Sequence, residues 1–147
     1  MKQLLKSCFI CLIIITMIST TAFAASPNDL VAPQANSYIW KTTVSPGALG
    51  NGVIEVACGI TATGMMEKVG IRRIEFYQEG VKTPLESHSY TETGYEFMMA
   101  YNKIIHDAVF TFQGDPGLRY YAIVHFYAGK GNGAGGVTME SFLVTAK

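Results

Sequence analysis

From Leu118 to Ala128 the chain alternates without a break. Tyr120, Ala122, Val124, Phe126 and Ala128 fall on one parity; Tyr121, Ile123, His125 and Tyr127 fall on the other. Successive side chains of a strand point to opposite faces, so a two-residue period of this length specifies a strand with one buried face. The pattern recurs upstream. Val53 to Thr63 puts Ile54, Val56, Cys58 and Ile60 on one face, which makes Cys58 a small core residue. Ile71 to Gln78 sets Ile74 and Phe76 against Arg73, Glu75 and Tyr77. Val69 and Ile71 lie on the wrong parity for that core face, and an extra residue near Arg72 repairs the phase as a β-bulge.

Shorter segments complete the reading. Tyr38 to Val44 is β-branched and aromatic, a first strand, and Ala108 to Gln113 turns Phe110 and Phe112 inward. Thr138 to Ala146 reads as the last strand. Val81 to Ser87 carries Pro84 and suits an edge strand or loop, and Tyr95 to Ala100 fits a strand. Ser45-Pro46-Gly47, Gly50-Asn51-Gly52 and Gly114-Asp115-Pro116-Gly117 are turn chemistry, Met65 to Gly70 reads as a short crossing, and Gly129 to Gly136 as a flexible loop. No segment sustains a helical period beyond two turns. About seven short strands at this spacing predict an all-β chain, a single immunoglobulin-like antiparallel β-sandwich.

The N-terminus carries a different signal. Lys2 and Lys6 precede the apolar run Cys8 to Ile18, and Ala22-Phe23-Ala24 supplies small residues for cleavage. The run is shorter than the roughly 20 residues a membrane span needs, so residues 1–24 are expected to be a secretory signal peptide. Residues 25–36, polar and with two prolines, then form an extended arm, and residues 37–147 form the sandwich domain. The expected product is secreted and extracellular, with no lipid or membrane anchor after cleavage. The full chain has a formal net charge of zero, so no nucleic-acid partner held by phosphate attraction is expected, and cleavage leaves nine Lys+Arg against eleven Asp+Glu, a net charge of −2. It also leaves Cys58 as the one cysteine, so the stability of the domain has to come from packing.

Pro116-Gly117-Leu118-Arg119-Tyr120 resembles the Pro-Gly-x-x-Tyr approach to strand F of fibronectin type III-like sandwiches. The resemblance implies that the Tyr120 hydroxyl bonds back to the backbone at the corner. Gly114 stands where that family usually has a leucine, and the usual strand-B tryptophan has no counterpart, Trp40 lying a strand earlier. Over nearly the whole mature length the chain is similar to small exported bacterial proteins of uncharacterised function. The features shared are the signal, Met66-x-x-x-Gly70-Ile71-x-x-Ile74, Gly114-x-Pro116-Gly117-x-x-Tyr120 and Phe126-Tyr127-Ala128. That resemblance implies fold and export, and no activity.

Reactive constellations do not emerge from the sequence. His88, His106 and His125 lie in separate segments, and Glu86-x-His88 puts two groups on one strand face without a third metal ligand. Gly131-x-Gly133-x-x-Gly136 matches a dinucleotide fingerprint in spelling, but a strand follows it where a helix N-terminus is required. No nucleophile elbow and no carboxylate pair on a shared helical face is found. The chain is therefore expected to be no enzyme and to need no cofactor or metal. The feature that does invite function is the outward face of Leu118–Ala128 together with that of Ile71–Gln78, which the fibronectin-like resemblance implies as its neighbour. There Arg73, Tyr77, Tyr121, His125 and Tyr127 are expected to form one aromatic patch with polar handles, suited to an extracellular polysaccharide or protein. The alternatives are a structural or self-associating protein using the same face, and a small extracellular enzyme.

Overall fold

A computed structural model describes residues 30–33 and 36–147 of the chain. The expected signal peptide, residues 1–24, lies outside the described residues. The elements are β1 (Leu30–Pro33), β2 (Ile39–Gly50), β3 (Val53–Gln78), β4 (Glu86–Ser89), a single 3-10 turn (Glu96–Met98), β5 (Met99–Gln113), β6 (Arg119–Lys130), β7 (Gly133–Glu140) and β8 (Val144–Thr145). The fold is all-β and antiparallel. All eight strands among the described residues join one sheet, in the order β1-β2-β3-β6-β7, with β4 and β5 also on β3 and β8 on β6. The sheet curls into a half-barrel.

The curl is the work of β3, a strand of 26 residues. Its first half lies between β2 and β5, and its second half between β6 on one side and β4 with the start of β5 on the other. The bend falls where the β3–β5 register jumps between Thr61 and Met66. The extra residues on one strand force it to turn away from its partner. Thr63 secures the bend: its N–H donates to the Tyr38 carbonyl at 3.0 Å and its hydroxyl to the Ser37 carbonyl at 2.9 Å. A second bulge omits Arg72 from the β3–β6 ladder, between Ile71 and Arg73. This is the phase correction the sequence demands, and it lets Val69, Ile71, Ile74 and Phe76 all be buried.

Folding the sheet over itself creates the core. Val44, Ile54, Val56 and Ile60 come from one half, and Ile71, Ile74, Phe76, Val124 and Phe126 from the other. The Phe76 and Phe112 rings stack across the interior at 5.1 Å. The buried face of β6 is Tyr120, Ala122, Val124, Phe126 and Ala128, each 2% exposed or less.

Several sequence expectations are corrected. Ser45-Pro46-Gly47 is not a turn: it lies inside β2. Pro46 is tolerated there because β1 covers β2 only at Lys41–Val44, leaving an edge where a missing donor costs little. Met65 to Gly70 is continuous strand, not a short crossing between strands. Tyr95 to Ala100 contains the 3-10 turn, and β5 begins only at Met99. Gly129 to Gly136 is not a flexible loop. Lys130 pairs with Gly133 in a tight β6–β7 hairpin, with Gly131 at φ 57°, as two-residue hairpin turns favour. The last strand accordingly starts earlier and is broken, giving β7 and then the short β8. Within the expected arm, Leu30–Pro33 forms β1.

Candidate functional site

The outward face of β6 lies beside the second half of β3, the pairing expected for these two segments. Tyr77 pairs with Tyr121, Glu75 with Ile123, Arg73 with His125 and Gly70 with Tyr127. Alternation places all five predicted residues, Arg73, Tyr77, Tyr121, His125 and Tyr127, on this one face. At one end Tyr77 and Tyr121 stack with ring centres 5.2 Å apart and planes 11° from parallel, a cross-strand aromatic pair. At the other end the Tyr127 ring lies against Gly129, where an added Cβ would sit 2.5 Å from its hydroxyl.

Glu75 is the hub between them, with a side chain only 12% exposed. Arg73 Nη2 donates to its carboxylate at 2.7 Å, the Tyr77 hydroxyl donates at 3.4 Å, and His125 Nε2 lies at 3.4 Å. Arg73 Nε reaches across to the Ser87 hydroxyl of β4 at 3.0 Å, and His125 Nδ1 meets the Thr138 hydroxyl of β7 at 3.0 Å. The network thus fixes side chains from β3, β4, β6 and β7 together. Desolvation, and then the adjacent Glu75 charge, hold the Tyr77 phenol above its ordinary pKa. It therefore stays a hydroxyl donor across the physiological range.

Beside this network opens a cleft of about 540 Å³. Arg72, Arg73, Glu75, His125 and Tyr127 line one side, and the β7 segment Ala134–Thr138 lines the other. The cleft exists because β7 presents glycine opposite the tyrosine: Gly136 is the ladder partner of Tyr127. Arg72 and Tyr127 also line a smaller hollow of about 140 Å³ with Lys68 and Tyr90. Tyr127 therefore stands between two adjoining depressions. Tyr77 and Tyr121 do not line the cleft; they form a platform at the far end of the same face.

Sequence reasoning missed three contributors. Arg72 sits at the bulge that parity anticipates, but its place in the cleft lining follows only from the pairing of β3 with β6 and β7. Gly136 falls in the segment expected to be a loop, and Thr138 opens the expected last strand, away from the expected face. Elsewhere, Glu86 and His88 do meet on one strand face, His88 Nε2 contacting a Glu86 carboxylate oxygen. The Tyr95 hydroxyl reaches the same nitrogen at 3.0 Å and the rings stack at 3.9 Å, while Glu92 lies 3.5 Å from Nδ1. His106 Nε2 is buried with no hydrogen-bond partner among the described residues. Cys58 is buried, and desolvation pushes its thiol up to about 12, far from the range of a reactive thiolate. Comparison of the chain with family models, with curated proteins and with solved structures gave no match.

Proposed function

We propose that this is an exported, non-catalytic β-domain that binds an extracellular polysaccharide along the outer face of β3, β6 and β7. The observation that carries the reading is Tyr127, an aromatic wall shared by two adjoining depressions and facing the side-chain-free Gly136. A sugar ring presents an apolar face that stacks on an aromatic ring, and hydroxyls that pair with carboxylate, guanidinium and imidazole groups. Both kinds of partner are present here, within one preformed face. Depressions that continue past one aromatic residue suit a chain of sugar units better than a single small molecule. The Glu75 network holds its polar groups in place before binding, which reduces the entropy lost on association. The export reading rests on residues 1–24, and the fibronectin-like reading of the fold on the Tyr120 corner.

The test is depletion of the protein, recovered from an exporting host, by insoluble cell-wall polysaccharide, with the Tyr121→Ala/Tyr127→Ala variant alongside. The variant is expected to keep its melting temperature within a few degrees and to lose at least about tenfold in affinity, the scale of one or two stacking contacts. Equal depletion of a folded variant would contradict the proposal. Binding of a cell-surface protein and of no polysaccharide would assign the same face to a protein contact instead.

A further inference from the structure

The opposite margin of the sheet carries a second surface that the glycan-binding face does not use. β5 runs from Met99 to Gln113 and, among the described residues, pairs with β3 alone, which leaves its other edge open there. None of the described backbone–backbone bonds outside the ladders falls on that edge between Ala100 and Gln113. Open edges of this length are usually blunted, because an unpaired row of N–H and C=O groups templates another strand. Here the outward parity reads Lys103, Ile105, Asp107 and Val109, all exposed, with Ile105 at 56% and Val109 at 53%. β-branched residues on an exposed edge invite pairing more than they prevent it.

The charges say with what. Among the described residues Lys103 and Asp107 make no ion pair with any side chain. They sit two positions either side of Ile105, on the same face. If two copies of β5 meet antiparallel about a two-fold axis at Ile105, Lys103 of each faces Asp107 of the other, and the two Ile105 side chains meet on the axis. Directly opposed residues in such a ladder have Cβ atoms about 4.5–5.5 Å apart, close enough for both ion pairs to form. Slipping the axis to Asp107 sets two carboxylates face to face, and slipping it to Lys103 sets two ammonium groups face to face. Axes at residues 104, 106 or 108 leave the charges unmatched. We infer that the β5 edge is a self-association surface, on which a second copy of this chain continues the sheet antiparallel with its two-fold axis at Ile105. The interface is isologous, so it closes at a dimer and does not propagate from this edge.

The test is the concentration-dependent mass of the protein recovered from an exporting host, followed by sedimentation equilibrium. The wild type is expected to dimerise reversibly. Lys103→Glu and Asp107→Lys each turn two attractive pairs into two repulsive ones and are expected to weaken the dimer at least about tenfold. The double reversal, Lys103→Glu with Asp107→Lys, restores complementarity and is expected to return the dissociation constant to within about threefold of wild type. Both positions are exposed, and circular dichroism checks that each of the three variants folds. A monomer at every concentration to about 1 mM overturns the inference. So does a dimer that ignores the single reversals, or one that the double reversal fails to rescue. The glycan-depletion assay on the same variants reports the other face independently.

Discussion

Tyr120 shows how much one residue organises. Its ring is buried, tilted against Phe112 at 5.3 Å, and its hydroxyl accepts the Asp115 N–H at 2.9 Å across the Gly114–Gly117 turn. Gly114 is the companion feature: a Cβ there would lie 2.6 Å from the ring, so the leucine common in fibronectin-like domains has no room. Tyr120→Phe is expected to cost about 1 kcal/mol in denaturant unfolding by stranding a part-buried N–H. Gly114→Leu should cost more, roughly 2–3 kcal/mol, because the ring must move. Cys58 gives a second prediction at this scale. Its thiol should resist a disulfide reagent at pH 8 until the protein unfolds. The folded pKa is raised, so the stabilisation from keeping the thiol protonated is complete below about pH 9 and is lost as pH climbs toward about 12. Melting followed from pH 8 to 11 should therefore fall less steeply in Cys58→Ala than in the wild type.

Among the elements, β3 decides the architecture, and it was only partly legible. The inward sets Ile54–Ile60 and Ile74–Phe76, and the bulge at Arg72, follow from parity alone, because burial imposes a period of two. That one strand joins both runs does not follow. Glycine, two methionines and lysine between Thr63 and Gly70 weaken local strand preference, and pairing with β5 and β6 overrides it. The same holds for Pro46 and the glycines of β7, whose turn character is real in isolation and is outweighed by a partner strand. Gly70 marks the crowded part of β3. Its φ is 159°, and an added Cβ would approach the Met98 carbonyl oxygen to 2.2 Å and the Met99 Cα to 2.9 Å. Both are backbone atoms that cannot rotate away, so Gly70→Ala is expected to destabilise by roughly 2–3 kcal/mol by chemical denaturation.

For the whole molecule, the curl of one sheet separates two outward surfaces with different character. The β3–β6–β7 face is aromatic, networked and indented; the β5 edge is open, β-branched and self-complementary in charge. The five candidate residues of the first face could be read from the sequence because alternation fixes which side chains share a side, and the fibronectin-like resemblance supplied the pairing of the two segments. The cleft beside them could not, since it depends on a bulge residue, a glycine in a hairpin strand and the docking of β7. The proposed glycan lies along Tyr127 between β6 and β7. The most direct measurement is an amide-resolved NMR titration of the protein with soluble cell-wall polysaccharide fragments. Saturable shifts are expected, concentrated at residues 72–75, 125–127 and 134–138, and abolished by Tyr127→Ala. Saturable binding whose shifts fall elsewhere on the sheet, or an unchanged spectrum at millimolar glycan, would contradict it.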